Sequence, residues 1–258
     1  MQRQDDLRRI EQALDAAAAA VAAFTPGAIQ ATLKDGGDPL TAADMAINEA
    51  ILNALPHDGE GWLSEETKDD ARRLRCQRTW IVDPIDGTRE FILGIPEWCV
   101  SVGLVEDGIP MAGGILAPSA GHRVVGSVET GVMLNGEPVT VRNKSALAGA
   151  LVLASRSEVK RGEWDRFFST EISVRNMGSV AYKLALVAAG FADATWTLVP
   201  KNEWDVAGGA ALVRAAGGEV CGLDGRERRF NQADPKMAGF VATAAGLGRP
   251  VRRFLEIG

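Results

Sequence analysis

Asp83-Pro84-Ile85-Asp86-Gly87-Thr88 follows directly on Trp80-Ile81-Val82. The apolar triplet reads as a buried strand, and Pro then Gly mark a tight loop at its end. Two carboxylates three positions apart on such a loop offer oxygens to a hard divalent cation. Mg²⁺ in particular binds through a few carboxylates together with water and substrate phosphate. Gly87, placed ahead of a helix start, leaves backbone N–H groups free for an anion. Metal and phosphate chemistry thus fall within one short loop. Taken alone, Asp-x-x-Asp-Gly is also an ordinary capped turn.

Two further acid-bearing stretches change that weighing. Leu63-Ser64-Glu65-Glu66 continues the apolar stub Gly61-Trp62-Leu63, so adjacent acids fall where a strand would end. Glu203-Trp204-Asp205-Val206-Ala207-Gly208-Gly209 sets an acid at the start of a small-residue helix that runs toward Ala216. A helix dipole favours a carboxylate at that place, so Asp205 alone is equally a cap. Three acidic element ends are harder to explain as caps together.

The elements that position these acids divide the chain in two. Residues 5–24 read as an amphipathic helix, and Thr41 opens a second in which Met45, Ile47, Ile51, Leu52 and Leu55 recur at helical spacing. Strands follow at 80–82, 100–105, 113–116 and 123–126, with Glu106-Asp107-Gly108 as a hairpin turn, an antiparallel meander. Beyond Asn143 the elements alternate. Strands at 151–154, 174–176, 192–195 and near 219–221 interleave with helices at 162–168, 180–189 and from Asp205, which indicates α/β layering. The expected organisation is an N-terminal α+β half, 1–143, carrying most of the acids, and a C-terminal α/β half, 144–258, supplying Asp205 and pocket residues.

Composition sets outer bounds. The 258 residues, 46% apolar, suffice for a substantial core. A net charge of −6 and a pI near 5.1 argue against a nucleic-acid-binding surface, so an anionic substrate must be held by metal and local dipoles. The first residues carry no apolar secretory core, and 16–23 is too short and weakly apolar to span a membrane. Cys76, Cys99 and Cys221 form neither a zinc pattern nor an even disulfide set, which points to a reduced cytoplasm.

At these residues the chain resembles the inositol monophosphatase family of Mg²⁺-dependent, lithium-sensitive phosphatases. Trp80 through Thr88 matches the first signature of that family, and Trp204 through Gly209, continuing to Ala216-Gly217-Gly218, matches the second. Leu63-Ser64-Glu65-Glu66 is similar to its acidic pair, and Asp38-Pro39-Leu40-Thr41-Ala42-Ala43-Asp44 to its N-terminal loop and helix start. The motifs keep the family's order and spacing over nearly the whole chain. The resemblance implies a layered α-β-α-β-α sandwich with the site between its halves. It also implies two or three Mg²⁺ ions, inhibition by Li⁺, and a small phosphorylated metabolite as substrate, with a homodimer as one open assembly. By the same resemblance Glu65, Asp83 and the Ile85 carbonyl would hold one ion, and Asp83 would bridge to a second completed by Asp86 and Asp205. Glu65 and Thr88 would orient the attacking water, the Gly87 and Thr88 amides would receive phosphate, and Asp44 would partner Thr88. Thr41-x-x-Asp44 is also a capping box. Glu66 either supports the site or is solvated.

For the substrate, Asp86-Gly87-Thr88-Arg89-Glu90-Phe91 and the run Glu65-Glu66 to Asp69-Asp70 look most like the 3′(2′),5′-bisphosphate nucleotidase branch. That branch removes the 3′-phosphate of adenosine 3′,5′-bisphosphate, a by-product of sulfate assimilation. Ser179 and Lys183 stand roughly where it holds the 5′-phosphate, while its arginine position falls near Thr197, leaving Lys201 as the nearby cation. The glutamate by which inositol-selective relatives bind hydroxyls is replaced at Leu198. Inositol-1-phosphate hydrolysis or a relaxed sugar phosphatase is therefore the alternative, and Lys183 is alternatively a solvated helix position. A catalytically silent regulatory relative is a further reading, opposed by the complete ligand set. His57 and His122 read as surface residues, and Trp98, Trp164 and Trp196 as packing at element surfaces. Arg72-Arg73-Leu74-Arg75 reads as a solvated helix face, Arg226-Glu227-Arg228-Arg229 as a loop surface, and Gly208-Gly209 as a site of close helix packing.

Overall fold

The computed structural model describes residues 2–34 and 37–256. α1 (Gln2–Val21) buries Ile10, Ala13, Leu14, Ala17 and Val21, the stripe that helical periodicity places on one side. It begins and ends three residues earlier than the periodicity suggests, and Pro26 and Gly27 lie in the turns that follow its end. A hairpin of β1 (Ala31–Leu33) and β2 (Pro39–Thr41) leads into α2 (Ala42–Ala54), which Thr41 caps. Of the apolar residues assigned to α2, Ile47 and Ile51 are buried. Met45 and Leu52 face out, a correction to the expected core face.

Seven strands form the larger sheet in chain order. They are β3 (Gly61–Ser64), β4 (Arg78–Asp86), β5 (Cys99–Glu106), β6 (Ile109–Ala117), β7 (His122–Ser127), β8 (Gly131–Leu134) and β9 (Glu137–Val139). From β4 onward the pairing is the expected antiparallel meander, and Asp107 and Gly108 both take positive φ at the β5–β6 turn. β3 adds to β4 in parallel, which the sequence reading did not foresee. α1 and α2 cover one face, packing on Trp80, Val82, Val100, Val102 and Leu104.

α3 (Thr88–Leu93) lies between β4 and β5, and after β9 the chain builds its second half. A mixed sheet runs β11 (Ser173–Met177), β10 (Leu151–Ser155), β12 (Ala194–Thr197), β16 (Phe240–Thr243) and β14 (Glu219–Gly222). β10 is parallel to β11 and β12, and β16 is antiparallel to both its neighbours. A two-residue pair, β13 (Lys201–Asn202) with β15 (Lys236–Met237), lies beside it. α5 (Val180–Ala188) and α6 (Glu203–Ala215) fill the space between the sheets, and α4 (Arg156–Lys160) and α7 (Gly248–Phe254) complete the outer layer. The helix expected at 162–168 is instead α4 plus one tight turn, because Gly162 sits at φ +83 and ends the run. The result is an α-β-α-β-α sandwich.

Close backbone approach makes the middle layer possible. A Cβ on Gly208 of α6 would lie 2.7 Å from the Val102 carbonyl oxygen, and one on Gly113 would meet the Gly208 carbonyl. Only glycine lets the helix lie flush on β5 and β6. Trp98, Trp164 and Trp196 are core residues, not surface packers; Trp164 and Trp196 stack with centroids 5.0 Å apart.

A charge network fastens α1 to the sheet. Glu60 accepts from Arg9 at 2.6 Å, Trp80 Nε1 at 2.9 Å and the His57 N–H at 3.0 Å, while Arg78 bridges Glu60, Asp6 and Glu106. Burial alone would raise the Glu60 carboxyl, but the bonds from Arg9, Trp80 and His57 outweigh it and bring its pKa down to about 2. Its folded pKa lies below its unfolded value, so its contribution is full above about pH 4.5 and is lost as pH falls toward 2. Glu60→Gln is expected to lower stability at pH 7 by about 1.5–3 kcal/mol. The gap from wild type should close between those pH values in urea titrations; a gap that persists at the acid end would contradict the assignment.

Candidate active site

The parallel pairing of β3 with β4 sets Ser64 beside Val82, and the Glu65 N–H then donates to the Val82 carbonyl at 3.3 Å. Glu65 is thereby delivered to the end of β4, next to Asp83. Between Asp83 and Asp86 the register slips by one residue against Ser101 and Cys99. This bulge brings two acids three positions apart into one site. Gly87, at φ +97, turns the chain into α3. Asp205 comes from the first turn of α6, where its Oδ2 accepts from the Asn202 N–H at 2.9 Å. Carboxylate oxygens of Glu65, Asp83 and Asp205 converge within 4.8 Å of one another.

Three acids so placed repel. Burial, and then the charges of Glu65, Asp86 and Asp205, drive Asp83 well above the carboxylate range. Burial and Asp86 push Asp205 up to about 8, against the bond from Asn202. Burial brings Glu65 to about 7 although Lys34 pairs with it. Asp83 Oδ1 is buried with no hydrogen-bond partner among the described residues. An all-oxygen set with a partnerless buried oxygen and unbalanced negative charge fits a hard divalent cation such as Mg²⁺.

Asp86 lies in the same cavity with one oxygen committed, Oδ2 accepting from Ser179 Oγ at 2.7 Å and the Ala181 N–H at 2.5 Å. Asp44 serves two partners at once. Its Oδ2 closes the capping box with Thr41 at 2.6 and 2.8 Å, and its Oδ1 lies 3.3 Å from Thr88 Oγ1. The Thr88 hydroxyl also reaches the Ile85 carbonyl at 2.9 Å. The cap and the contact with Thr88 are therefore not exclusive.

The cavity, about 290 Å³, is lined by Glu65, Asp83, Asp86, Asp205 and Gly87-Thr88 together with Arg156, Lys183 and Lys201. Lys183 is buried, not solvated: its ammonium donates to the Ser179 carbonyl at 2.7 Å and Gly178 at 3.4 Å. Burial lowers its pKa to about 8 against the pull of Asp86. Ser179, at φ +53, is held by its bonds to Asp86 and from the Tyr182 N–H. Thr197 and Leu198 do not line the cavity, whereas Lys201 does, its Nζ 3.9 Å from the fully buried Glu158. Arg156, which sequence reasoning passed over, is held between Glu97 and Glu90.

Lys34, also unforeseen, reaches from the β1–β2 hairpin to Glu65 at 2.7 Å and Glu66 at 2.6 Å, so Glu66 is paired, not solvated. A hairpin lysine carries no local signal of such a partner. His122 lies away from the cavity, bonded to the Tyr182 hydroxyl at 2.9 Å and stacked on Phe191, so it is more engaged than a surface histidine.

Fold and site together define a phosphoric monoester hydrolase whose acidic cluster suits a divalent metal. The chain belongs to the inositol monophosphatase family, whose model matches residues 4–250. An inositol-1-monophosphatase of Mesorhizobium japonicum is 34% identical over 206 residues, covering 76% of this chain and 77% of that protein. A 3′-phosphoadenosine 5′-phosphate phosphatase of Mycobacterium leprae is likewise 34% identical, over 80% of this chain and 78% of its own length. Among solved structures, an inositol monophosphatase from Zymomonas mobilis superposes with a TM-score of 0.82 at 27% identity, covering 99% of each chain. The family is generally Mg²⁺-dependent. No described helix is long and apolar enough to cross a membrane.

Proposed function

We propose that this phosphatase removes one phosphate from a small metabolite carrying a second anionic group, adenosine 3′,5′-bisphosphate being the best match. The observation that carries the reading is that one cavity is lined both by the acids Glu65, Asp83, Asp86 and Asp205 and by the cations Arg156, Lys183 and Lys201. A second phosphate desolvated beside those cations meets positive charge, which an inositol hydroxyl does not need. Relatives named for either substrate class are equally similar at 34% identity, and the cations lining the cavity support the nucleotide reading.

In this reading Glu65, Asp83, the Ile85 carbonyl, Asp86 and Asp205 hold Mg²⁺, and Li⁺ competes for the same oxygens. The ion, when bound, supplies Lewis acidity and offsets the charge that builds on phosphate during transfer to water. The chain's own residues do the rest. Gly87 and Thr88 amides orient the phosphate, and Glu65 and the Thr88 hydroxyl orient the attacking water. Asp44, whose Oδ1 faces Thr88 Oγ1, accepts the proton relayed through that hydroxyl. Residues 1–143 contribute Glu65, just after β3, and the acids of β4, and residues 144–258 contribute Asp205 and the cavity cations Arg156, Lys183 and Lys201.

The alternative, inositol 1-phosphate or a relaxed range of sugar phosphates, is favoured by one observation: the Lys183 ammonium is already bonded to backbone carbonyls. A phosphate-release panel with Mg²⁺ over adenosine 3′,5′-bisphosphate, inositol 1-phosphate, fructose 1,6-bisphosphate and histidinol phosphate separates the two. Lys201→Ala is expected to lower kcat/KM on the nucleotide by roughly ten- to a hundredfold and to spare inositol 1-phosphate. Lys183→Ala should weaken the nucleotide by as much and inositol 1-phosphate partly, since it also frees the Ser179 turn. Equal losses on both substrates for Lys201→Ala would favour the alternative.

A further inference from the structure

Glu65 and Asp205 must be held at a fixed separation, yet they come from distant parts of the chain. Glu65 leaves β3, an edge strand with β4 as its single neighbour. A chain of bonds on the far side of the cavity wall joins that loop to α6. Arg73 has a side chain with no exposed surface, a correction to its reading as part of a solvated face. Its guanidinium donates to Asp69 at 2.8 and 3.1 Å, to Asn231 Oδ1 at 2.7 Å and to the Gln232 carbonyl at 3.0 Å. Asn231 returns a bond from Nδ2 to the Arg73 carbonyl at 3.0 Å. The N–H groups of Asn231 and Gln232 then donate to the two oxygens of buried Glu203, at 2.6 and 2.9 Å. Glu203 opens α6, two residues before Asp205.

The path has marks of a rigid device. Asn231 is held at φ +61, an uncommon conformation for a residue with a side chain. A Cβ on Gly61 would meet Arg73 Cβ at 2.8 Å, so β3 yields space to the base of the Arg73 side chain. Arginine's planar fork fixes three partners at once, which lysine cannot reproduce.

We propose that Arg73 and Asn231, anchored on Glu203, form a clamp that sets the distance between Glu65 and Asp205 and so tunes Mg²⁺ affinity. They are positioning residues; neither lines the cavity. The inference rests on the reading of Glu65 and Asp205 as metal ligands. Groups that orient metal ligands from behind typically change affinity by about 10–100-fold when removed.

The test uses the full chain and Mg²⁺ binding by calorimetry, with urea unfolding alongside. Arg73→Met is expected to weaken Mg²⁺ binding about 10–100-fold, with kcat largely recovered at saturating Mg²⁺. Asn231→Gly, which keeps the left-handed backbone and removes the side-chain bonds, should weaken it in the same direction and serves if Arg73→Met does not fold. Arg73→Lys should fall between wild type and Arg73→Met. Leu14→Ala, on α1 and remote from the clamp, supplies a destabilised control whose Mg²⁺ affinity stays unchanged. Unchanged isotherms for Arg73→Met and Asn231→Gly, or a shift no larger than that of Leu14→Ala, would overturn the clamp. Asp205→Asn separates the two levels. Loss of binding there with intact clamp variants defeats the clamp alone, and intact binding in Asp205→Asn defeats the metal reading beneath it.

Discussion

Asp83→Asn is expected to lower phosphate release by roughly a thousandfold or more and, in EDTA, to raise the melting temperature. The first effect follows from losing a carboxylate that holds the cation, whose charge stabilisation is worth several kcal/mol at about 1.4 kcal/mol per decade of rate. The second follows from burial. Asp83 is driven well above its ordinary carboxylate pKa by desolvation and by Glu65, Asp86 and Asp205, and its Oδ1 bonds to nothing described. A group whose folded pKa is raised costs stability at every pH above its unfolded value, and neutral asparagine removes that cost. Saturating Mg²⁺ should reverse the order, because it stabilises the wild type and not the variant. A melting temperature that falls in EDTA would contradict the repulsion, and full Mg²⁺-dependent activity in the variant would contradict the ligand assignment.

Gly208→Ala is expected to damage stability and activity together. The added methyl would lie 2.7 Å from the Val102 carbonyl oxygen and 2.8 Å from Ser101 Oγ, so α6 must lift off β5. Overpacking of this kind costs typically about 1–3 kcal/mol, and more where the obstacle is backbone. Asp205 sits one turn upstream on the same helix, so the shift spreads the acidic cluster. Urea midpoint and Mg²⁺ affinity should fall in step. A variant with native Mg²⁺ affinity and a lowered midpoint would show that the helix end is held independently of its packing, by Glu203 and Asn202 for example.

The acids were legible because Glu65, Asp83 and Asp86 follow apolar runs and Asp205 opens a small-residue helix, and the family resemblance joined them in one site. The antiparallel meander was legible from its apolar runs, with Asp107-Gly108 fixing a register. Arg73 was not. Arg72-Arg73-Leu74-Arg75 looks like solvated surface, and its burial is decided by Asn231 and Gln232, which lie far away in the chain. Lys34 likewise acquires meaning only when the β1–β2 hairpin meets Glu65 and Glu66. For Lys183 the solvated alternative fails, because α5 is sandwiched between two sheets and the Gly178 and Ser179 carbonyls just ahead of it take the ammonium. The parallel direction of β3 was not legible because four residues carry no direction. β16 escaped because Phe240-Val241-Ala242-Thr243 stands so near the end of the pattern that no neighbour was sought for it.

That strand has a consequence for the order in which the molecule can be assembled during synthesis. β16 is inserted between β12 and β14, so two strands made earlier wait for one made later. The seven-stranded sheet, drawn from residues 61–139, can close while the rest is still being made. The second sheet cannot close before Thr243 exists, and until then α6 has no firm bed on its outer side. Asp205 therefore gains its full support only once β16 is in place, although α6 can already lie on β5 and β6.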